Sequence, residues 1–343
     1  MFELSHAMDH LLHSYPEILS RLDHLVTGEA FFSIFRQLSD NYSPTLTVTR
    51  VQAPLVKQIL AQGPGNQERM HFDPSLRRSG SMAIRVGTNR PALWLSAHAD
   101  ICSYLTGPWD GSGYPLTPFC THNASPGRRA AMALATPRQP GPLERLCEGE
   151  MVTLENNTVR FECTRTDLPF QTRVVHHLAA AWDRASDHLV GFLDNEGGST
   201  ALILAAQILS HYDANALLLL NDEEEGPVDR GNQGFSRAAN RLLHRTPLDE
   251  HPDYVVVVDG HSQAQLMARG IEPAFGQGAS FTGVTSLARG AVTPPQLLAF
   301  TRELALELGR RGISLVEDPH YVGRSDDISA MQWTPNVSII GYP

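Results

Sequence analysis

Six side chains stand out for the chemistry that their types and spacing allow: His98, Asp100, Asp194, Glu223, Glu224 and Asp259. Each lies just after a run of apolar or β-branched residues. Carboxylates and imidazoles are the ligands that divalent metals take in hydrolytic sites. His98-x-Asp100 has the form of a metal ligand and its orienting carboxylate, since a ligating imidazole donates its other N–H to such a group. Alone, that pair reads equally well as ordinary polar residues at a strand end. Asp194 sits in Leu193-Asp194-Asn195-Glu196-Gly197-Gly198, where its two oxygens could bridge two cations and the glycines admit close backbone approach. A helix N-cap is the plain alternative.

The run Asp222-Glu223-Glu224-Glu225 follows four leucines. Charge runs are usually solvated loops. Directly after a buried strand, however, adjacent glutamates can divide their roles, one binding metal and one acting as base on a water. Asp259-Gly260-His261-Ser262 closes the set, with Asp259 as a terminal ligand and His261 as a loop histidine. Carboxylates drawn together repel unless they take up protons or cations. Divalent metal is the economical resolution.

The elements that must position these groups alternate. Helical spacing covers Met8–Leu38. Ser81–Val86, the turn Gly87–Arg90 and Ala92–Ser96 read as a hairpin that feeds a central strand ending near His98. From about Thr106 to Gln139 the chain is rich in Pro, Gly, Ser and Thr. Met151–Glu155 and Thr158–Cys163 then form a hairpin signal around Asn156-Asn157. Strand–helix alternation returns with Leu189–Leu193, a helix opened by Gly197-Gly198, the strand Ala216–Leu220, the helix Phe235–Leu243 and the strand Tyr254–Val258. A helix over Leu297–Leu308 follows Pro294-Pro295, and Ile313–Val316 and Asn336–Ile340 are the last strands. This order predicts an α/β sandwich with a mixed, largely parallel sheet, whose ligands gather at the carboxyl ends of the strands.

The 343 residues are 42% hydrophobic, enough to bury a core, and carry a formal net charge of -10. That balance disfavours nucleic acid and anionic membranes as partners. No apolar run approaches transmembrane length, and residues 1–25 do not read as a secretory signal. Cys102, Cys120, Cys147 and Cys163 lack metal-site spacing and are expected as free thiols of a reducing cytosol.

In this order, the motifs resemble the cytosolic di-zinc aminopeptidases of the tetrahedral (TET), glutamyl-aminopeptidase-like type, over Ser81 to the end. The resemblance implies a zinc-exopeptidase-like three-layer sandwich, with a discontinuous catalytic domain of residues 1–103 and 188–343 and an inserted β-rich oligomerisation or lid domain of residues 104–187. It implies that His98 binds one zinc with Asp100 in support, that Asp194 bridges both zincs through a cis bond to Asn195, and that Glu224 and Asp259 ligate opposite ions. Glu223 is then the general base, with Glu225 in reserve because the alignment of the acidic run can slip by one. Arg324-Ser325-Asp326-Asp327 resembles a late supporting segment. Two divalent metals are implied, zinc first, with cobalt or manganese compatible. Small peptides as substrates, homo-oligomers and a cytoplasmic location are implied as well.

The pattern departs at its end. The family's last zinc ligand is a histidine after the strand read here at Asn336–Ile340, and the sequence given stops at Gly341-Tyr342-Pro343. His261 and His320 do not match that motif. The leading expectation is an aminopeptidase that removes N-terminal residues with a two-metal-activated water. The alternatives are a catalytically degenerate pseudo-peptidase serving as a binding or scaffold protein, and a related zinc amide hydrolase such as a carboxypeptidase or deacylase.

Overall fold

The leucines of the strand Ala216–Asn221 dictate the architecture. All six of its residues are buried. Leu218 and Leu220 pack into one apolar cluster, and Leu217 and Leu219 into another. Side chains alternate across a strand, so both faces of its sheet must be covered. The computed structural model describes residues 4–120, 125–226, 236–260, 278–285, 290–318 and 324–342. It places this strand third in an eight-stranded mixed sheet.

Along the chain, β1 (Met70–Asp73), β2 (Met82–Val86) and β3 (Leu93–His98) come first. Next are β4 (Tyr104–Thr106), β5 (Tyr114–Pro118), β6 (Gly127–Ala135), β7 (Glu144–Thr153), β8 (Val159–Glu162) and β9 (Arg173–His176). A short ribbon follows, β10 (Ala181–Asp183) and β11 (His188–Val190). The last strands are β12 (Ala216–Asn221), β13 (Tyr254–Gly260), β14 (Ala279–Thr282), β15 (Leu315–Glu317) and β16 (Val337–Tyr342). The main sheet runs β1-β2-β12-β3-β13-β16-β14-β15. Its centre, β12-β3-β13-β16, is parallel.

The helices are α1 (Leu4–Ser14), α2 (Ile18–Leu25), α3 (Gly28–Ser39), α4 (Val48–Gln62), α5 (Leu193–Leu209), α6 (Arg237–Arg245), α7 (Pro295–Gly309) and α8 (Asp327–Trp333). One face of the sheet is covered by α3, α4 and α5 through Leu38, Val56, Ile59 and Ile203. The other is covered by α6 and α8 through Leu242 and Trp333. The molecule is the expected α/β three-layer sandwich. Strands β4 to β9 close into a separate barrel in the order β4-β5-β8-β7-β6-β9, around Tyr114, Met151 and Phe161. The four cysteines are free thiols that pack with this barrel core.

Four local expectations change. Segments 81–86 and 92–96 are strands but not a hairpin. β12 lies between them, antiparallel to β2 (Leu218↔Ile84) and parallel to β3 (Leu218↔Leu95). The leucine-rich strand takes the doubly covered middle position, and the connecting turn is long enough to step across it. The helical stretch 8–38 is three helices, broken at Pro16 and restarted by Thr27, whose side chain accepts from Ala30 N. Segment 189–193 supplies only the short edge ribbon β11, and Asp194 belongs to the distorted first turn of α5. Helix α4 had no reading in the sequence because Pro54 lies inside it, yet its Val48, Val51, Val56, Ile59 and Leu60 are buried. Phe235, expected in α6, lies outside the described residues. Among the described residues, no helix is long and apolar enough to cross a membrane.

Candidate metal centre

Register brings the first ligands together. Asn221 of β12 pairs with His98 at the end of β3. Val257 of β13 pairs with Ser96, so two residues further on Asp259 comes beside His98. Both lie at the carboxyl edge of parallel strands, where open α/β sheets place their ligands. His98 is 1% exposed. Its Nε2 is 3.0 Å from Asp194 Oδ1, 3.7 Å from Asp259 Oδ1 and 3.8 Å from Glu224 Oε2. His98, Asp194 and Asp259 each offer a ligand atom within 4.8 Å of the others. Two atoms bound at about 2.1 Å to one tetrahedral ion lie about 3.4 Å apart, so this donor set fits a divalent cation.

The electrostatics argue the same way. His98 Nδ1 faces the main-chain oxygen of Asp100 at 3.2 Å, nearer than its carboxylate at 3.6 Å. A proton on Nδ1 leaves Nε2 as an acceptor turned toward three carboxylates, which needs a proton or a cation between them. Burial works against charge on His98, but Glu224 and Asp259 overcome it and hold the imidazole pKa well above its ordinary value. Burial and neighbouring acids push Glu224 well above the carboxylate range, and raise Asp259 to about 6. A cation would restore these groups to their charged forms.

The HxD pair works differently from the simple ligand–orienter scheme. The imidazole leans on the Asp100 backbone, while the Asp100 carboxylate accepts from Thr45 Oγ1 at 2.7 Å, Glu224 N at 3.1 Å and Glu225 N at 3.2 Å. Asp100 thus fixes the acidic run. Asp222 anchors the same run from behind, accepting from Leu46 N at 2.7 Å and Val48 N at 3.2 Å at the start of α4.

Asp194 approaches from the first turn of α5, and its bond to Asn195 is cis. Asn195 Nδ2 donates to Val258 O at 2.8 Å, which ties that turn to β13. Tyr342 at the end of β16 completes the clasp. Its hydroxyl is 2.6 Å from both Leu193 O and Asn195 Oδ1, and accepts from Gly198 N at 3.0 Å. A Cβ on Gly197 would sit 2.8 Å from that hydroxyl, so the glycine serves close approach.

The members of the acidic run part company. Glu223 is not among the acids within ion-pair reach of His98. Its carboxylate is gripped by Arg241 of α6, whose Nε also donates to Ser79 O at 2.8 Å. Glu225 Oε2 accepts from Cys102 Sγ at 3.0 Å, and burial together with Asp194 pushes its pKa well up. The supporting segment is also present. Asp326 accepts from Ser96 Oγ at 3.0 Å and Asn221 Nδ2 at 2.5 Å, bracing β3 against β12 beside His98. His261 and His320 lie outside the described residues. Asp222 was read only as part of the acidic run, and Thr45 and Tyr342 were assigned no role from the sequence, because isolated polar residues near apolar runs carry no pattern of their own.

No protein-family model matches the chain, and no curated protein sequence is significantly similar to it. Solved structures do resemble it. A TET aminopeptidase from a marine sediment archaeon of the Thaumarchaeota superposes with a TM-score of 0.69 at 12% identity, covering 91% of this chain and 88% of that one. The TET1 peptidase of Pyrococcus horikoshii, which can assemble into a tetrahedron or a large octahedral shell, gives 0.62 at 14% identity over 91% of both chains. An aminopeptidase from Desulfurococcus kamchatkensis gives 0.64 at 13% identity, covering 91% and 85%. Over about nine-tenths of its length, this chain has a fold similar to that of the TET aminopeptidases.

Proposed function

We propose that the chain is a metal-dependent aminopeptidase. The observation that carries this reading is His98 Nε2 ringed by Asp194, Asp259 and Glu224 at 3.0–3.8 Å on the carboxyl edge of the sheet. The likeness to aminopeptidase structures supports it. His98, Asp194, Glu224 and Asp259 would hold two divalent ions, zinc first, with Asp194 as the bridge. When bound, such ions polarise a scissile carbonyl and acidify water. The chain's own groups do the rest. Asp100 locks the backbone of Glu224 and Glu225, and Asp222 anchors the run to α4.

The general base is Glu225. Glu223, the choice from sequence, is occupied by Arg241, whereas Glu225 faces Asp194 and is steadied by the Cys102 thiol. Glu225 takes the proton of the attacking water and delivers it to the leaving amine. A free α-amine on small peptides, drawn to the acidic site, makes the reaction an exopeptidase one. The barrel and adjoining ribbon, as residues 104–187, form the inserted oligomerisation or lid domain, and the remaining two segments form the catalytic domain. Homo-oligomers and a cytoplasmic location belong to the same reading.

The test is turnover of aminoacyl anilides with metal analysis. Chelation abolishes activity and zinc restores it. Glu225→Gln keeps metal but lowers kcat by about 10²–10⁴-fold, while Glu223→Gln acts mainly through stability. Full activity in Glu225→Gln removes it from the mechanism. Cleavage of only N-blocked or C-terminal substrates would return the assignment to a deacylase or carboxypeptidase. A metal-free, inactive protein would return it to a binding or scaffold role.

A further inference from the structure

Two cysteines face each other at the root of the barrel. Strands β4 and β5 pair antiparallel, with Tyr104↔Pro118, Leu105↔Thr117 and Thr106↔Leu116. Phe119 N donates to Ser103 O at 2.8 Å, which carries the ladder one step further, and the next step sets Cys102 opposite Cys120. Gly107 N donates to Pro115 O at 2.7 Å. Hydrogen-bonded pairs therefore alternate through Ser103 and Gly107, and Cys102 with Cys120 falls at a non-hydrogen-bonded position. Facing Cα atoms lie about 4.5 Å apart at such positions, within the roughly 4.4–6.8 Å that a disulfide spans. The two thiols are in hydrogen-bond contact. Cys147 and Cys163 stand differently. Glu150↔Glu162 and Met151↔Phe161 put Gly149 opposite Cys163, so Cys147 is its diagonal neighbour, a position typically about 7–8 Å away.

The neighbours of this pair give it a consequence. Cys102 Sγ is 3.0 Å from Glu225 Oε2. Phe119, next to Cys120, lies so close to the following residue that a Cβ on Gly226 would collide with its carbonyl oxygen. Cys102 and the neighbour of Cys120 thus both touch the acidic run at Glu225-Gly226. Cys102 is half-buried and Cys120 is 2% exposed, so a small reagent reaches the pair from the Cys102 side. The Cys102 thiol, helped by the Tyr104 hydroxyl, holds the Cys120 pKa below its ordinary value, whereas Cys120 and burial push Cys102 well up. The pair therefore gives up one proton readily and keeps the second, and the anionic sulfur is the nucleophilic one.

We propose that Cys102 and Cys120 form a reversible redox switch, in which hydrogen peroxide closes them into a disulfide that takes the thiol hydrogen bond away from Glu225 and lowers turnover. The effect on turnover rests on the aminopeptidase reading; the cross-link does not. The anionic sulfur attacks one peroxide oxygen. An S–O bond forms, the O–O bond breaks, and the hydroxide released takes a proton and leaves as water. The second sulfur then attacks the first. An S–S bond forms, the S–O bond breaks, and the oxygen leaves as a second water with the remaining thiol proton. A small dithiol reverses the change by exchange and is itself oxidised to a disulfide.

Peroxide treatment of the intact protein, followed by tryptic mass mapping without reduction, tests the switch. The tryptic peptide Val86–Arg128 holds both cysteines, whereas a bond between Cys147 and Cys163 would join two separate peptides. Val86–Arg128 is expected to lose two hydrogens and to regain them with dithiothreitol. Turnover of aminoacyl anilides should fall about ten- to hundredfold in step with the cross-link, as loss of a hydrogen bond to a charged group does, and recover on reduction. Cys120→Ser should match the parent when reduced and form no cross-link. The proposal is overturned if Val86–Arg128 keeps both thiols under millimolar peroxide, if the cross-link forms and turnover does not change, or if Cys120→Ser shows the same reversible loss. Should the reduced protein turn over no substrate, the aminopeptidase reading fails by itself, and the presence or absence of the cross-link decides the pairing.

Discussion

Glu196 illustrates how burial sets the state of a single carboxyl group. It follows Asp194 and Asn195 on α5. Its Oε1 accepts from Gln52 Nε2 at 2.8 Å and from Ser43 Oγ at 3.3 Å, while Oε2 has no partner. Burial pushes its pKa up to about 8. An acid whose folded pKa is raised binds more protons in the folded state than in the unfolded one. Its contribution therefore favours folding at low pH and is lost as pH rises from about 4.5 toward about 8. Glu196→Gln has the shape of the protonated form and never ionises. We expect the variant to gain thermal stability over the parent as pH is raised from 5 to 8, with the gap levelling off above that, in metal-free protein. A gap that stays constant with pH would mean that Glu196 does not change charge on folding.

At the scale of elements, the end of β16 and the start of α5 form one unit. Tyr342 holds Leu193, Asn195 and Gly198 with a single hydroxyl, and Asp194 lies within that span. The tyrosine is thus a positioning residue for the candidate bridging ligand. Tyr342→Phe keeps the ring and removes the clasp. Loss of such a hydrogen bond costs about 1–3 kcal/mol when partners stay buried. We expect a modest fall in melting temperature together with weaker zinc affinity in equilibrium dialysis. Unchanged zinc affinity with a lower melting temperature would reduce Tyr342 to a structural role. The hairpin Thr153↔Val159 was legible because Asn156-Asn157 is a local turn signal, and Asn157 does adopt a positive φ of 62°. The pairing of β2 with β12 was not, because no local signal states which distant strand will enter between two neighbours.

For the whole molecule, the dominant fact is the concentration of carboxylates at one sheet edge. Asp222, Glu224 and Glu225 are all driven well above their ordinary pKa, chiefly by burial. A cation bound only by the folded state relieves that penalty. Zinc at a hundredfold excess over its Kd should then raise unfolding free energy by about 2.7 kcal/mol. Denaturant midpoints with zinc and with chelator measure it. Asp194→Asn should remove the gain with little effect on the metal-free midpoint, because the Asp194 side chain is 67% exposed. A zinc-independent midpoint in the parent protein would sink the metal-centre assignment.

The amino-acid order alone determined that acids and one imidazole terminate apolar strands, that strands and helices alternate into a sandwich, and that a β-rich insertion separates the two halves. Those features follow from hydrophobic periodicity and turn chemistry, which act over a few residues. Only the tertiary structure decided that β12 lies between β2 and β3, that Glu223 turns to Arg241 while Glu224 stays by His98, and that Cys102 meets Glu225. Each of these depends on register and on partners more than a hundred residues away, or on which of several adjacent like charges an arginine reaches first. Long-range contacts of that kind leave no periodic trace in a single sequence.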